Sequence, residues 1–345
     1  MGDETIVVVG AGVLGLSSAL ICQQHLPKTK VVIVARDLPG TESIDYASPW
    51  SGAHYRPIPD VTPQGIHEAS LARRTYEHFK TYAAGNPDAS ISFITGMDWL
   101  ESPGEEYLTA KTRYQDIDEF RVLGPEELPT GVKWGASYKT WCVNTPVYLS
   151  HLMRRFLLNG GSVIQIQLKS LSEAFTIQEN VRTVINCSGV GFDDPASFIT
   201  RGQTCLVANK ASHTVTRQNA NGTWTFVIPR PAYGGTIIGG TKEERDYEVS
   251  PRLETRQKLL ETAAKSFPEL LDENGQFRVI RDIVGRRPSR TGGMRLELEN
   301  VEKGRHIFHA YGAGGRGVEM SWGVAEEVLG VLRKCISSPE IKSRL

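Results

Sequence analysis

Three glycines near the start of the chain have a spacing that can bind a pyrophosphate. Gly10, Gly12 and Gly15 form a Gly-x-Gly-x-x-Gly pattern directly after the apolar run Val7–Val9 and before helix-forming residues. In a strand that turns tightly into a helix, the first glycine permits the bend, the second lets a phosphate approach, and the third lets helix and strand pack closely. The N–H groups of the first helical turn then attract the anion. We therefore predict a dinucleotide-binding site at this turn.

An acidic residue stands where such a site needs a ribose ligand. A second apolar run, Val31–Val34, is followed by Ala35, Arg36 and Asp37. A strand, a helix and a second strand make up the dinucleotide-binding unit, in which a carboxylate after the second strand accepts hydrogen bonds from the ribose. Asp37 is the candidate for that role.

A second glycine-rich segment could face an anion in the same way. Gly312, Gly314, Gly315 and Gly317 follow a predicted strand and precede a predicted helix. Such a helix N-terminus favours negative charge, and in flavin enzymes it lies beside the flavin pyrimidine ring, where negative charge accumulates on reduction. The alternative is a tight turn without a ligand. The first glycine motif makes the ligand the favoured interpretation.

Two kinds of element must position these residues. A parallel unit is predicted from strands at 5–10, 30–35, 162–166, 183–187 and 306–311, and from helices at 13–25, 147–158 and 318–335. Short strand-like runs within 91–142 and 203–250, separated by Pro and Gly breaks, predict antiparallel sheet. Further helices are predicted at 64–82 and 252–267. The expected fold class is α/β, or α+β overall, with a Rossmann-like unit and an inserted antiparallel sheet.

The same pattern divides the chain into two discontinuous domains. We predict a cofactor-binding domain from 1–56, 145–200 and 280–345, and a substrate-binding domain from 57–144 and 201–279. A chain of 345 residues exceeds the length at which a single hydrophobic core stops growing, which favours two domains.

Composition argues against several classes of partner. The 39 Lys and Arg residues balance 39 Asp and Glu, so the formal net charge is zero, whereas proteins that bind nucleic acid usually carry a basic excess. No apolar run approaches the roughly 18 residues of a membrane span. The five cysteines are scattered and lack a Cys-x-x-Cys pattern, so we expect reduced side chains, no disulfide framework and no metal site.

With these segments in place, the chain resembles the D-amino-acid oxidase and D-aspartate oxidase family of FAD flavoproteins over nearly its whole length. The blocks that carry the resemblance are Gly10–Gly15, Ala35–Pro39, Ala47–Ala53, Ile185–Gly189, Arg201–Gln203, Val227–Arg230, Ile238–Thr241, Val284–Arg290, His309–Gly315 and Trp322–Gly323. The resemblance implies FAD as the cofactor. It implies cofactor contacts from Gly10, Ala11, Gly12, Val13, Leu14, Gly15, Arg36, Asp37, Ser48, Trp50, Ser51, Gly52, Ser188, Gly189, Gly312, Gly314, Gly315, Gly317 and Val318.

The resemblance also implies oxidative deamination of a D-amino acid. In such enzymes a hydride passes from the substrate Cα to flavin N5, O₂ becomes H₂O₂, and the imino acid hydrolyses to a 2-oxo acid and ammonia. No side-chain base is required, so the protein supplies orientation and electrostatics. Arg287 matches the family's anchor for the α-carboxylate, which a guanidinium can bind bidentately. Gly315 matches a further active-site position, whereas we expect Arg286 and Arg290 to be structural.

One departure from the family pattern concerns the substrate carboxylate. Phe226 stands where the family usually has Tyr, so a hydroxyl that helps to hold the carboxylate is absent. Either the residue that matches the carboxylate anchor, Arg287, suffices alone, or another hydroxyl replaces the missing one, with Tyr55 and Tyr233 as the candidates. The ring of Phe226 either forms an aromatic wall of the site or packs in the core.

A second departure concerns substrate charge. Lys242 stands where D-aspartate oxidases have Arg and yeast-type oxidases of neutral substrates have Tyr; Arg217 falls near a loop arginine of D-aspartate oxidases if two extra residues are allowed. Two cations could bind a side-chain carboxylate, which favours D-aspartate and D-glutamate. They could also be solvated loop charges, so neutral D-amino acids remain the alternative. A more remote alternative is a nicotinamide-dependent dehydrogenase or a non-catalytic nucleotide-binding module.

The last three residues, Ser343, Arg344 and Leu345, are similar to the Ser-Lys-Leu address that the peroxisomal import receptor reads. Members of the family usually reside in peroxisomes, and a peroxide product gives that address a chemical reason. We therefore expect the peroxisomal matrix as the location. We expect no nucleic-acid or membrane partner, and a homodimer is left open.

Overall fold

The structure is a computed structural model that describes residues 4–108 and 117–337. The helices are α1 (Val13–His25), α2 (Pro63–Gly85), α3 (Glu105–Leu108), α4 (Thr145–Leu158), α5 (Leu171–Ala174), α6 (Leu253–Ser266) and α7 (Gly317–Ser337). The strands are β1 (Thr5–Val9), β2 (Lys30–Ala35), β3 (Ala53–His54), β4 (Ile91–Leu100), β5 (Arg121–Val122), β6 (Trp134–Val143), β7 (Ser162–Gln165), β8 (Val181–Asn186), β9 (Ser197–Val207), β10 (Thr214–Gln218), β11 (Trp224–Pro229), β12 (Thr236–Gly239), β13 (Glu243–Glu244), β14 (Val279–Arg290), β15 (Arg295–Val301) and β16 (Arg305–Tyr311). The helices predicted at 13–25, 64–82, 147–158, 252–267 and 318–335 are confirmed to within three residues.

The first sheet has the strand order β15-β16-β8-β1-β2-β7. Strand β1 pairs in parallel with β2 and β8, β7 and β16 extend the sheet in parallel, and β15 is antiparallel to β16. Apolar cores lie on both faces of β1: Val8 packs in one with helix α1, and Val7 packs in the other with Phe175. Burial on both faces explains the uninterrupted apolar runs of these strands. The predicted parallel unit is confirmed.

The second sheet has the order β13-β9-β12-β11-β10-β4-β6-β3, with β14 on β9 and β5 on β6. Its neighbours run antiparallel except β10 and β4, which are parallel. Helix α6 packs on one face through Leu259, which lies in a core with Val215 and Val227. The antiparallel sheet predicted for 91–142 and 203–250 is confirmed.

The sequence pattern does not predict strand β14. Its twelve residues include four arginines, Gly285 and Pro288, and no regular apolar alternation marks them as a strand. Pairing with β9 nevertheless orders it from Val279 to Arg290. Strand β9 crosses the domain boundary expected at position 200, and strand β14 crosses the one expected at position 280. Both strands belong to the second sheet. The division into two domains otherwise stays a prediction.

Helices α2 and α7 pack closely because one position of α7 has no side chain. A Cβ on Gly323 would overlap with the backbone of Leu71 in α2. At the same crossing, the hydroxyl of Thr75 accepts hydrogen bonds from the N–H groups of Trp322 and Gly323, both at 3.1 Å. None of the helices in the described residues is both long and apolar enough to span a membrane.

Replacing Gly323 by alanine tests this contact. The added methyl group must push α2 and α7 apart, so we expect Gly323→Ala to lower the free energy of unfolding by about 1–3 kcal/mol. Gly330 lies in the same helix, and a methyl group added there would occupy open space. Gly330→Ala should therefore raise the free energy of unfolding by about 0.5–1 kcal/mol. Urea unfolding followed by circular dichroism measures both, and equal effects of the two substitutions would contradict the packing argument.

Candidate active site

A cavity of about 1680 Å³ lies between the carboxyl ends of the first sheet and one face of the second. It exceeds the roughly 300–1,000 Å³ of ordinary small-molecule pockets, so a dinucleotide cofactor and a substrate can share it. The residues expected to contact the cofactor that line this cavity are Gly10, Ala11, Gly12, Val13, Leu14, Arg36, Asp37, Ser48, Trp50, Ser51, Gly52, Ser188, Gly189, Gly312, Gly314, Gly315, Gly317 and Val318. Gly15 does not line it, because it lies in the packing contact behind the loop.

The first glycine turn has the geometry that its sequence predicts. Gly10 has a φ of +104°, and a Cβ there would overlap with the carbonyl oxygen of Cys187. A Cβ on Gly15 would overlap with the carbonyl oxygen of Gly10. Ser48 accepts a hydrogen bond from the N–H of Val13 at 3.1 Å. The first turn of α1 therefore opens into the cavity beside a hydroxyl, as a pyrophosphate site requires.

Two further features of this end of the cavity fit FAD. The hydroxyl oxygen of Ser188, at the carboxyl end of β8, is buried and has no hydrogen-bond partner in the described part of the chain, so it can bond a ligand. Asp37 lies at the end of β2 with its side chain 14% exposed, and Arg36 Nε donates to it at 2.7 Å. The site thus offers a free hydroxyl and a ribose-binding carboxylate, and the individual contacts with FAD stay predictions.

The second glycine segment lies at the carboxyl end of β16, on the same edge of the first sheet as the first glycine turn. The N–H of Gly312 donates to the carbonyl of Gly189 at 2.8 Å, which joins the two strand ends. Arg316 also lines the cavity, and its guanidinium donates to Glu319 at 2.8 Å and to Glu68 at 3.2 Å. The sequence analysis did not assign Arg316 a role. The signal in the sequence that could have identified Arg316 is its position as a charged residue among four glycines.

Arg287 lies on β14 with its guanidinium over β9. Its Nη1 donates to the carbonyl oxygens of Arg201 at 3.3 Å and Thr241 at 3.1 Å. A Cβ on Gly202 would overlap with this guanidinium, so the glycine makes room for it. Arg287 is partly buried, lines the cavity and has no ion pair within residues 4–108 and 117–337. Burial lowers its pKa, and Glu243 opposes that shift.

Arg286 and Arg290, two more of the four arginines on this strand, are engaged by carboxylates. Arg286 Nη1 donates to Asp45 at 2.9 Å, and Arg290 Nε donates to Asp194 at 2.9 Å. The expectation that both are structural therefore agrees with their contacts. Arg287 differs from its two neighbours because it presents an unneutralised charge to the cavity.

Three residues expected to contact the substrate do not line the cavity, and their roles stay predictions. Tyr55 is buried beside Tyr76 and Trp141 and does not line the cavity. Tyr233 is 98% exposed and also lies outside it. Arg217 Nε donates to Glu101 at 2.8 Å, and Arg217 does not line the cavity. Burial raises the pKa of the Tyr55 hydroxyl, as expected for a side chain in a core.

Lys242 and Phe226 do line the cavity. The Lys242 side chain is 76% exposed and its ammonium lies 3.2 Å from a carboxylate oxygen of Glu244, which places the charge at the rim. The ring of Phe226 occupies the space over Gly239, where a Cβ would overlap with it. Phe226 therefore forms part of the wall and also packs beside buried apolar residues of the sheet.

Two residues next to Tyr55 line the cavity although the sequence analysis did not single them out. Arg56 Nε donates to Asp98 at 2.8 Å, and its guanidinium lies 4.5 Å from the ring centre of Trp224. His54 Nδ1 lies 2.7 Å from the Thr214 hydroxyl. Burial and the nearby charge of Arg56 lower the pKa of His54 to about 3, so its imidazole is neutral near pH 7.

Comparison with known proteins agrees with this geometry. The family model described as FAD dependent oxidoreductase matches residues 5–329. The chain is 48% identical to a D-aspartate oxidase of Talaromyces thermophilus, over 94% of this chain and 93% of that protein. It is 30% identical to a D-amino-acid oxidase of Fusarium vanettenii, over 96% and 97% of the two chains. Among solved structures, a glycine oxidase from Bacillus cereus has a TM-score of 0.73 at 15% identity and covers 96% of this chain and 95% of its own, a likeness of fold.

Removing the carboxylate of Asp37 tests its expected role. Loss of a charged acceptor for ribose hydroxyls should weaken FAD binding roughly 10- to 100-fold in Asp37→Ala. Glu42→Ala is the matched control, because Glu42 is an exposed carboxylate nearby that does not line the cavity. Titration of the apoprotein with FAD, followed by flavin fluorescence, gives both dissociation constants, and unchanged binding by Asp37→Ala would remove the assignment.

Proposed function

Because the chain belongs to the family of FAD-dependent oxidoreductases, we propose that it oxidises D-amino acids and prefers those with an acidic side chain, D-aspartate and D-glutamate. The products are the 2-oxo acid, ammonia and hydrogen peroxide. When bound, FAD takes up the hydride that leaves the substrate Cα and passes the two electrons to O₂, after which water hydrolyses the imino acid. Family membership replaces the remote alternative of a nicotinamide-dependent dehydrogenase.

The observation that carries the proposal is the unneutralised charge of Arg287. A partly buried guanidinium is costly unless an anion binds it, and the described residues supply no carboxylate within ion-pair distance. Two backbone carbonyls hold its Nη1, so the remaining N–H groups are oriented. An α-carboxylate is a planar anion that a guanidinium can bind through two parallel hydrogen bonds. This contact would fix the substrate's orientation and so the direction of its Cα–H bond.

The carboxylates of the cavity support a mechanism based on orientation. Glu319 is held by Arg316 at 2.8 Å, Glu243 by Arg201 at 2.6 Å, and Asp194 by Arg290 at 2.9 Å. Although burial raises it, hydrogen bonds from Tyr311 and Arg290 bring the pKa of Asp194 down to about 2, so this carboxylate is a weak proton acceptor near pH 7. These groups therefore stabilise the cavity walls, and the substrate amine enters the reaction already neutral.

The preference for acidic substrates is supported by the relative that is 48% identical, which is named a D-aspartate oxidase. One observation favours neutral D-amino acids as the second candidate. Lys242 lies at the rim beside Glu244, and Arg217 is bound to Glu101, so neither expected cation is committed to a substrate. The relative that is 30% identical is named a D-amino-acid oxidase.

Hydrogen peroxide formation by the holoenzyme tests both parts of the proposal. We expect kcat/KM for D-aspartate to exceed that for D-alanine at least about tenfold, which corresponds to about 1.4 kcal/mol. Arg287→Met should lower kcat/KM for both substrates about 100-fold or more, because each loses its charged partner. Faster oxidation of D-alanine by the unmodified enzyme would establish the neutral alternative.

The matched control is Arg278→Met. Arg278 is an exposed arginine one residue before β14 and lies outside the cavity lining, so its loss should change kcat/KM less than about twofold. Near-normal kcat/KM in Arg287→Met would contradict the anchor role.

We further propose that the peroxisomal import receptor binds Ser343–Leu345 and that the enzyme works in the peroxisomal matrix. These three residues lie outside the described residues, so the proposal is supported by their sequence and by the peroxide product. A fluorescent protein fused ahead of the full chain should accumulate in peroxisomes and stay cytosolic when the three residues are deleted. Unchanged accumulation after the deletion would refute it. The homodimer stays a prediction.

A further inference from the structure

Five residues form one row across the second sheet, each opposite the next on a neighbouring strand. The row runs from Thr204 on β9 through Gly239, Phe226 and Thr216 to Asp98 on β4. Side chains of directly paired residues project from the same face of a sheet. Thr204, Phe226 and Thr216 line the cavity, so this row is part of its wall.

Two hydroxyls in this row have no partner. Thr204 is 7% exposed and Thr216 is 5% exposed, and the Oγ1 atom of each is buried without a hydrogen bond in the described part of the chain. Thr214, two residues before Thr216 on the same face, shows the usual arrangement: its hydroxyl donates to the carbonyl of Val227 at 2.8 Å. A buried hydroxyl that lines a cavity and lacks a protein partner indicates a ligand that supplies one.

The position of Phe226 separates the two hydroxyls. Its ring extends over Gly239 and Gly240 towards Thr204, because Cβ atoms at these glycines would meet the ring. Gly202 is in contact with the Arg287 guanidinium. Thr204 lies two residues further along β9, about 7 Å from Gly202. Thr216 lies one strand beyond Phe226, on the side away from β9. The two hydroxyls therefore flank the aromatic ring, and Thr216 is the more distant from the carboxylate anchor.

A buried ion pair lies beside Thr216. Its neighbour in the row, Asp98, is fully buried and accepts hydrogen bonds from Arg56 Nε at 2.8 Å and from the Tyr138 hydroxyl at 3.1 Å. The charge of Asp98 is thereby compensated by a guanidinium that itself lines the cavity. A ligand group next to Thr216 would therefore meet a hydroxyl beside a compensated ion pair, and the Arg56 guanidinium of that pair also lines the cavity.

We propose that Thr216 is a specificity-determining residue whose hydroxyl donates a hydrogen bond to the side-chain carboxylate of the substrate that Arg287 holds by its α-carboxylate. This inference rests on the proposed function and extends it to a second contact. It assigns discrimination between acidic and neutral substrates to β10, a strand on which the sequence pointed to Arg217 instead. Phe226 would then separate the two carboxylate contacts.

Thr216→Val removes the hydroxyl while it keeps the shape of the side chain. We expect KM for D-aspartate to rise roughly 10- to 100-fold, with KM for D-alanine changed less than about twofold, since loss of a hydrogen bond to a charged group affects only the substrate that carries it. Succinate and butyrate, which resemble the two kinds of substrate without an amine, give a second measurement. Binding to the holoenzyme is followed by the flavin absorption spectrum. In Thr216→Val, the binding of succinate should weaken, and the binding of butyrate should not. Thr216→Ser, which keeps the hydroxyl, should bring KM for D-aspartate and the dissociation constant of succinate back to within about threefold of those of the unmodified enzyme.

Thr204→Val is the matched comparison. If Thr204→Val weakens succinate binding and Thr216→Val does not, the assignment to Thr216 is overturned. The assignment is also overturned if Thr216→Val weakens the binding of succinate and the binding of butyrate equally, because that result indicates a structural role. If the unmodified enzyme fails to oxidise D-aspartate, the proposed function fails; if it prefers D-aspartate and Thr216→Val keeps that preference, only this inference fails.

Discussion

The close approach of two strands and a helix at Gly10 and Gly15 determines where the rest of the structure can lie. Strand β8 can run against the end of β1 because position 10 has no Cβ, and helix α1 can start directly above them because position 15 has none. The positive φ of Gly10 then turns the chain upward into the helix. These contacts bring the carboxyl ends of β1, β2 and β8 to one edge, where a ligand of an α/β sheet binds. That edge is the floor of the cavity.

The opposite wall depends on a second close contact. Arg287 reaches the cavity because β14 pairs with β9 over its whole length, and because Gly202 leaves room for the guanidinium. Strand β14 thus carries four arginines with different surroundings. Arg281, Arg286 and Arg290 are paired with Glu42, Asp45 and Asp194, and Arg287 has no ion pair within the described residues. A charge left without a partner in an otherwise paired wall is a structural cost that binding can recover.

The sequence contained the parts of the site that depend on local chain geometry. Gly10, Gly15 and Asp37 could be assigned because a tight turn fixes their spacing within one βαβ unit. Arg287 could be assigned only because its motif resembles a known family, since β14 has no periodic pattern of its own. Its unpaired state depends on which carboxylates fold near it, and those lie far away in the sequence. The positions of Arg217 and Tyr55 outside the cavity lining have a common physical cause. Each lies one residue from a position that does line the cavity, and successive side chains of an extended segment point to opposite sides.

When candidate ligand-binding residues are chosen from the sequence alone, residue type favours charged or hydroxylated side chains. Strand register, however, decides which of these side chains faces the ligand. Register is set by pairing between distant segments, here β10 with β4 and β11. The same pairing that turns Arg217 towards Glu101 places Thr216 in the cavity lining. A short neutral donor beside a compensated ion pair therefore suits selectivity in this wall better than a long cation at the rim. A long exposed side chain such as Lys242 must lose conformational entropy to bind, whereas a β-branched hydroxyl in a sheet is already held in place.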